Sequence, residues 1–451
     1  MAMTLAPWAD IERMPTLNEE SAERLRSLID QPHAPTFNNR SGHHLNKDDL
    51  ETLKNYTKRE MQKSASPIID QNDWMTDFIE YCLTKVPFYQ DYLKGLNNLS
   101  DMPAVDRAEL SKDITKFIPN DLPIDQLIAY ETSGTTGHPL LIPSHPTVAA
   151  RYSCYHKKAL SWNNVNTEEF ESDLAIMLAG YQEKCFTYAS ISPYLNNKGL
   201  VKLNFHPNDW LKSSDRQKYI DINKPDLISG DPVSLDALSE IPFQHKPKAL
   251  LSTSMSLLDG CRNRLKNRFG CPVIDLYSLN EVGPIGCSVP GKQGFKLLQS
   301  QLFVEALDEY GTPLPIGQRG EITVTGGFNH CLPLLRYKTG DYGCLEQEGN
   351  DWFIRNLEGR PPVQYKTTHN EWINNVDITH LLNKYPLSQF SLHQHSDGSL
   401  TLYLLSMSYS DKLKQLIKDK LGFPVTVQPL SKTDLGSKVI QYTSDIFRNP
   451  K

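Results

Sequence analysis

No stretch of the 451-residue chain approaches the ~18 consecutive apolar residues that a membrane-crossing helix needs, so no helical span is expected. Met1 to Leu17 carries Asp10 and Glu12 and lacks a continuous apolar core, which argues against a secretory signal. Cysteine is sparse: eight residues, scattered, with no Cys-x-x-Cys pair, and Cys261 and Cys271 the nearest two. That spacing excludes a disulfide framework and a zinc ribbon, and predicts reduced, mostly buried thiols in a cytoplasmic protein. Nor is there an excess of positive charge. Lys and Arg number 47 against 53 Asp and Glu, giving a net charge of −6. Such a surface repels phosphate backbones, so nucleic-acid binding is not expected. Internal repeats and low-complexity tracts are absent, and no Gly-Lys-Ser/Thr closes a glycine-rich loop, which excludes a Walker-type phosphate loop.

What the chain does have is Tyr130-Glu131-Thr132-Ser133-Gly134-Thr135-Thr136-Gly137-His138-Pro139. Two glycines let the backbone turn tightly and bring N–H groups close to an anion. Four hydroxyls in five positions surround them with donors and acceptors. The composition suits a phosphate cradle, and equally a polar surface loop. Further along, short apolar runs at Leu174–Leu178, Leu227–Gly230, Lys248–Thr253 and Val273–Tyr277 read as strands, and Ser256 to Phe269 as a helix. Alternation of strands and helices predicts a largely parallel, layered sheet, with ligands beyond the carboxyl ends of its strands. Leu302–Leu307 and Gly320–Thr325 alternate like strands around a turn at Gly311-Thr312-Pro313.

Helical patterns occupy Ser21–Ile29 and Asp48–Met61, and Asp73–Leu99 with a break at Pro87; Asp101–Phe117 holds turns and a short helix. Near the other end lie a strand at Leu400–Leu405 and a helix at Asp411–Leu421. About two to four units are expected for this length. The expected fold is α/β. A large N-terminal domain of layered sheets covers 1–358, with a helical extension over 1–70 and a β-rich subdomain over 300–358. A small mobile α+β domain covers 359–451.

Four further segments complete a pattern: Asp275-Leu276-Tyr277-Ser278-Leu279-Asn280-Glu281 with Gly283; Leu332-Pro333-Leu334-Leu335-Arg336-Tyr337-Lys338-Thr339-Gly340-Asp341; Glu358-Gly359-Arg360; and Leu435-Gly436-Ser437-Lys438-Val439. In this order they resemble the adenylate-forming superfamily of acyl-CoA synthetases, adenylation domains and luciferases. Val86-Pro87-Phe88-Tyr89, Met102-Pro103 and the Leu332–Tyr337 string resemble its phenylacetate–CoA ligase and coenzyme F390 synthetase-like branch, which includes capsule-associated relatives. The resemblance runs from about residue 75 to 445.

The resemblance implies an ATP- and Mg²⁺-dependent ligase that joins a carboxylic acid to AMP and then passes the acyl group to a thiol of coenzyme A or an acyl carrier protein. It implies that Ser133, Gly134, Thr135, Thr136 and Gly137 cradle phosphates, with Thr136 also catalytic. Glu281 would hold magnesium, Tyr277 would stack on adenine, and Ser278 and Asn280 would stand near the nucleotide. Asp341 would take the ribose hydroxyls, Arg360 would touch ribose or phosphate, and Lys438 would reach the carboxylate and α-phosphate. Tyr181, Phe186 and Tyr188 are candidates for an aromatic-friendly acid pocket. A homodimer is compatible with the resemblance.

The chain departs from the family at His138, where lysine is common, at Ser278 and Asn280, where Gly and Thr are usual, and at Pro361-Pro362, where an acidic hinge residue is common. Proline fixes φ and restricts its predecessor, so a swivel there would be stiff. Two alternatives therefore stand beside the ligase reading: an amide ligase with an amine acceptor, and a nucleotide-binding scaffold without catalysis. Lys432 is a near alternative to Lys438. Lys438→Ala is expected to slow pyrophosphate release by ~10²–10³ while nucleotide binding stays nearly intact, because it removes charge from the transition state alone. Wild-type rates in that variant would remove Lys438 from the site.

Overall fold

The computed structural model describes residues 11–68, 73–92, 95, 98–131, 140–182, 184–359, 363–430 and 439–446. Helices α1 (Glu19–Ile29) and α2 (Lys47–Gln62) open with capping boxes, Asn18 with Ser21 and Asn46 with Asp49, which satisfy first-turn N–H groups. The helical pattern after residue 73 divides at Pro87 into α3 (Met75–Lys85) and α4 (Pro87–Tyr92), because proline can begin a helix but not continue one. Asp106 caps α5 (Arg107–Lys112) by accepting the Glu109 N–H. Strands β1 (Ile128–Glu131) and β2 (Leu141–Ser144) pair antiparallel, with Glu131 opposite Leu141, and α6 (Pro146–Trp162) follows. The phosphate-cradle candidates Ser133, Gly134, Thr135, Thr136 and Gly137, with His138, lie outside the described residues, as do Arg360, Pro361, Pro362, Lys432 and Lys438.

The apolar runs become β3 (Leu174–Gly180), β4 (Tyr188–Ser192), β5 (Lys198–Asn204), β6 (Leu227–Gly230), β7 (Ala249–Ser252) and β8 (Val273–Leu279), interleaved with α7 (Ser213–Asn223), α8 (Pro232–Ser239) and α9 (Asp259–Phe269). β5, β3, β6, β7 and β8 run side by side and parallel, with β4 antiparallel at the edge. Every residue of β6 and β7 is buried, as parallel strands covered on both faces require. The helix expected from Ser256 begins three residues later. Leu257 and Leu258 are turned into hydrophobic clusters instead of starting the coil.

At β8 the sheet changes character. β8 pairs antiparallel with β9 (Gly283–Cys287), and β10 (Phe295–Leu297), β11 (Leu302–Leu307), β12 (Arg319–Gly326), β13 (Leu334–Glu348) and β14 (Asp351–Gly359) extend it. The order onward from β8 is β9, β10, β14, β13, β12, β11, all antiparallel. The β-rich segment is thus continuous with the parallel half in one 12-stranded sheet among the described residues. Its inner face shares a hydrophobic cluster with α3 and α4, including Val86, Tyr89, Tyr277, Val282, Leu334 and Tyr337.

One ion pair anchors β13. Arg336 is 3% exposed and sits at φ +47°, a left-handed conformation rarely taken by a side chain of this size. Its guanidinium meets both Glu305 oxygens, at 2.9 and 3.2 Å, and donates to the Met102 and Gly311 carbonyls. Fully partnered, it ties β13 to β11 and to the segment before α5.

Beyond residue 363, β15 (Gln364–Lys366) pairs with β16 (Trp372–Asn374), and α10 (Asn375–Leu382) follows. β17 (Phe390–Gln394), β18 (Leu400–Leu404), α11 (Ser410–Leu421), β19 (Val425–Pro429) and β20 (Tyr442–Ser444) complete the chain. The four strands form their own sheet over their own cluster, in the order β19-β18-β17-β20. This part packs on the start of α9. The Gly260 N–H donates to the Asn383 carbonyl, and a Cβ at Gly260 would overlap the Tyr385 carbonyl.

Asp275, in β8, is 4% exposed and lies 3.6 Å from Arg262. Burial pushes its carboxyl up to about 7, against the pull of Arg262. The folded chain therefore holds a proton that the unfolded chain has released between the ordinary carboxylate range and about pH 7. The stability contributed by this proton is fully present below pH ~4 and lost as pH rises through 7. Relative to wild type, Asp275→Asn should gain up to ~4 kcal/mol between pH 4 and 8 in urea denaturation. A stability difference flat in pH would contradict this.

Candidate active site

The Arg336–Asp341 string contains a bulge in β13. Lys338 pairs with Thr323 and Tyr342 with Glu321, so Thr339, Gly340 and Asp341 stand opposite Ile322 alone. Gly340 takes φ +77°, which makes the bulge sterically cheap. Thr339 Oγ1 donates to the Ile322 carbonyl and accepts the Asp341 N–H. The bulge thereby aims Asp341 away from its ladder. On the other side Asp341 pairs with Gly359 of β14, where a Cβ would come within 3.2 Å of Asp341 Oδ1. Glycine leaves room for the carboxylate.

The motif at the end of β8, separated from β13 by three strands of the sheet, reaches the same place. The Tyr277 hydroxyl donates to Asp341 Oδ2 at 2.8 Å. Glu281 lies in the turn between β8 and β9 and is 4% exposed. Its Oε1 accepts from Arg107 Nη1 at 2.8 Å and from the Tyr337 hydroxyl at 3.3 Å. Burial first, and the neighbouring carboxylate second, push both phenols far above their ordinary range, so both remain donors. Two tyrosines thus cross-brace the β8 turn and β13 and fix a carboxylate at each end.

Tyr277 is 8% exposed, and its ring packs 5.9 Å from that of Phe295. It acts in this structure as the donor that orients Asp341. Ser278 is half-buried and Asn280 exposed beside it. Tyr152 of α6 stands between the turn and β1: its hydroxyl reaches the Leu279 carbonyl at 3.5 Å, and Glu281 and Tyr130 both add to the burial that raises its pKa. Tyr188 is tied to the same region. Burial and then Tyr130 push its hydroxyl up to about 12. Tyr181 leans on His206 instead, and Phe186 is 70% exposed, so the three acid-pocket candidates do not share one environment.

Sequence reasoning missed Arg107. A signal existed. Asp106 caps a short helix, which puts Arg107 in its first turn, where the helix dipole disfavours a cation. A cation there calls for a nearby anion, and 174 residues on Glu281 supplies it. Behind the turn, Gln299 donates to the Val282 and Pro284 carbonyls and forms part of the wall of a cavity of about 240 Å³ with Tyr56, Arg151 and Phe328. That cavity is lined by neither Glu281 nor Asp341.

No family model matches the chain. Protein CapK of Staphylococcus aureus is 22% identical over 387 residues, covering 78% of this chain and 82% of the relative. A phenylacetate–coenzyme A ligase of Thermus thermophilus is 23% identical over 333 residues, 66% of this chain and 68% of the relative. Among solved structures, 2-hydroxyisobutyryl-CoA ligase in its postadenylation state superposes with a TM-score of 0.60 at 14% identity, covering 88% of this chain and 90% of that one. The chain has the adenylate-forming ligase fold. The relatives found by comparison and the family resemblance carried by the motifs agree.

Arg107→Ala should cost about 2–3 kcal/mol in denaturant unfolding, less than the ~3–5 of a fully buried pair because Arg107 is 30% exposed. Adding Glu281→Gln should recover part of that loss, with a coupling of ~0.5–3 kcal/mol in the double-mutant cycle. Strict additivity would show that the two side chains do not act as a pair.

Proposed function

We propose that the protein is an AMP-forming acid–thiol ligase. In the first half-reaction a carboxylate oxygen attacks the α-phosphorus of ATP, and pyrophosphate leaves. In the second a thiol sulfur attacks the acyl carbon, and AMP leaves. The observation that carries this reading is the cross-brace. Tyr277–Asp341 and Tyr337–Glu281 draw the carboxylates of two motifs, far apart in sequence, into one framework. The relatives named as phenylacetate–coenzyme A ligases and the acyl-AMP complex of the structural neighbour support the same chemistry.

In this reading Asp341, held by Tyr277 and the bulge, accepts the ribose hydroxyls. Glu281 fits a hard cation: Oε1 is anchored by Arg107 and Tyr337, while Oε2 accepts no hydrogen bond from the described residues. Magnesium bound there would neutralise phosphate charge as pyrophosphate departs. Ser133 to Gly137, Arg360 and Lys438 keep the phosphate, ribose and transition-state roles set out from the sequence, with Tyr277 positioning Asp341. The division at 358/359 belongs to the same proposal, as do coenzyme A or a carrier thiol as acceptor, a small carboxylic acid, aromatic ones included, as substrate and a homodimeric assembly. Cytoplasmic residence is supported by eight free thiols, seven of them buried. No helix among the described residues is long and apolar enough to cross a membrane.

The test is pyrophosphate release from ATP across a panel of carboxylic acids, aryl and arylacetic acids included, alongside calorimetric ATP binding. Release that needs an added acid is expected, and hydroxylamine, coenzyme A and a panel of amines then identify the acceptor. Failure to bind ATP, or release indifferent to every acid, would overturn the reading. Asp341→Ala should weaken ATP binding by about 10–100-fold, the loss of charged hydrogen bonds worth ~1.5–3 kcal/mol. Tyr277→Phe should weaken it less and in the same direction. Equal affinity in both variants would take the ribose role from Asp341.

A further inference from the structure

The sheet beyond residue 363 carries a cluster that the ligase reading leaves unused. His393 lies on β17, and His395 follows one residue past its end, so their side chains share a face. β20 runs parallel beside β17, with His393 opposite Thr443 and Gln394 opposite Ser444. The same register sets Asp445 opposite His395, and the Asp445 N–H donates to the Gln394 carbonyl at 2.8 Å. One donor atom from each of His393, His395 and Asp445 lies within 4.8 Å of the others.

We propose that these three residues bind a divalent first-row transition metal of the zinc type. Two imidazoles and one carboxylate are the ligand set such ions favour over calcium or magnesium. His393 Nε2 and Asp445 Oδ2 are 3.3 Å apart. Metal–ligand bonds of 2.0–2.1 Å in a tetrahedron put neighbouring donors ~3.3–3.4 Å apart. The backs of both rings are already held. His393 Nδ1 is 2.8 Å from the Thr443 hydroxyl, and His395 Nε2 is 2.8 Å from the Thr401 hydroxyl. Each threonine fixes one nitrogen of its ring and leaves the other for the ion, as outer-sphere partners do in metal sites. The rings stand edge to face with centroids 4.4 Å apart, so a small rotation brings both donors onto one centre. Three protein ligands leave a fourth position for water. The ion would clip β20, an edge strand of only three residues, onto β17.

The experiment uses the full chain, stripped with chelator, in a Cys185→Ser background, since Cys185 is the one cysteine that is not buried. Zinc is titrated against a chromophoric competitor, and cobalt(II) is added separately to read coordination from its visible spectrum. One ion per chain is expected, with an intense tetrahedral cobalt band and a zinc-dependent rise in Tm. His393→Gln/His395→Gln should lower affinity at least 100-fold and abolish the rise. Asp445→Asn, the milder variant should the double one not fold, and Thr443→Val should each lower it about 10–100-fold. Zinc binding unchanged in these variants, or no stoichiometric binding at micromolar metal, would overturn the proposal. Neither result bears on acid-dependent pyrophosphate release.

Discussion

The contacts on which the site depends join strands that are not neighbours. Between β8 and β13 the sheet inserts β9, β10 and β14, yet the Tyr277 hydroxyl reaches Asp341 and Tyr337 reaches Glu281. The antiparallel half must therefore curl until its inner face closes over the cluster holding Val282, Leu334 and Tyr337. Apolar burial supplies the driving force, and the tyrosines convert it into placement. Each buries its ring and spends its one polar group on a carboxylate, so Asp341 and Glu281 are oriented without a charged partner being sunk alone in the core.

The same economy explains the long strand β13. At its start Arg336 is locked by Glu305 and by backbone carbonyls, in a conformation that costs strain. Three residues later the bulge at Thr339–Asp341 releases the ladder where the carboxylate must project. The string divides its labour: Arg336 is architecture, Tyr337 orients Glu281, and Asp341 projects from the bulge. A motif of contiguous letters is thus three separate mechanical parts.

How much of this could be read beforehand follows from the range of each interaction. The strands at 174–178, 227–230 and 273–277 were legible because short apolar runs between turn signals are a local property, and so was the break at Pro87. The positions of Glu281 and Asp341 in the motifs were legible through family resemblance. The partner of Arg107 was not, since it lies 174 residues away and only the folded chain makes them neighbours. The hydrogen bond from Tyr277 to Asp341 was equally hidden, because the two lie 64 residues apart and meet only as the sheet curls. Likewise nothing local announced that the β-rich segment after residue 300 would continue the parallel sheet.

Gly359 has a consequence for how binding and movement relate. It pairs with Asp341 across the β13–β14 ladder, and the chain passes from it directly to Arg360 and the two prolines. Torque applied to the chain beyond that point is delivered first to the residue opposite Asp341. By thermodynamic reciprocity, if a ligand on the carboxylate biases the exit of the strand, the exit biases that ligand's affinity by the same factor. In the proposed ligase, release of a nucleotide held at Asp341 and any turning of the residues after Gly359 would then be linked, each measurable through the other.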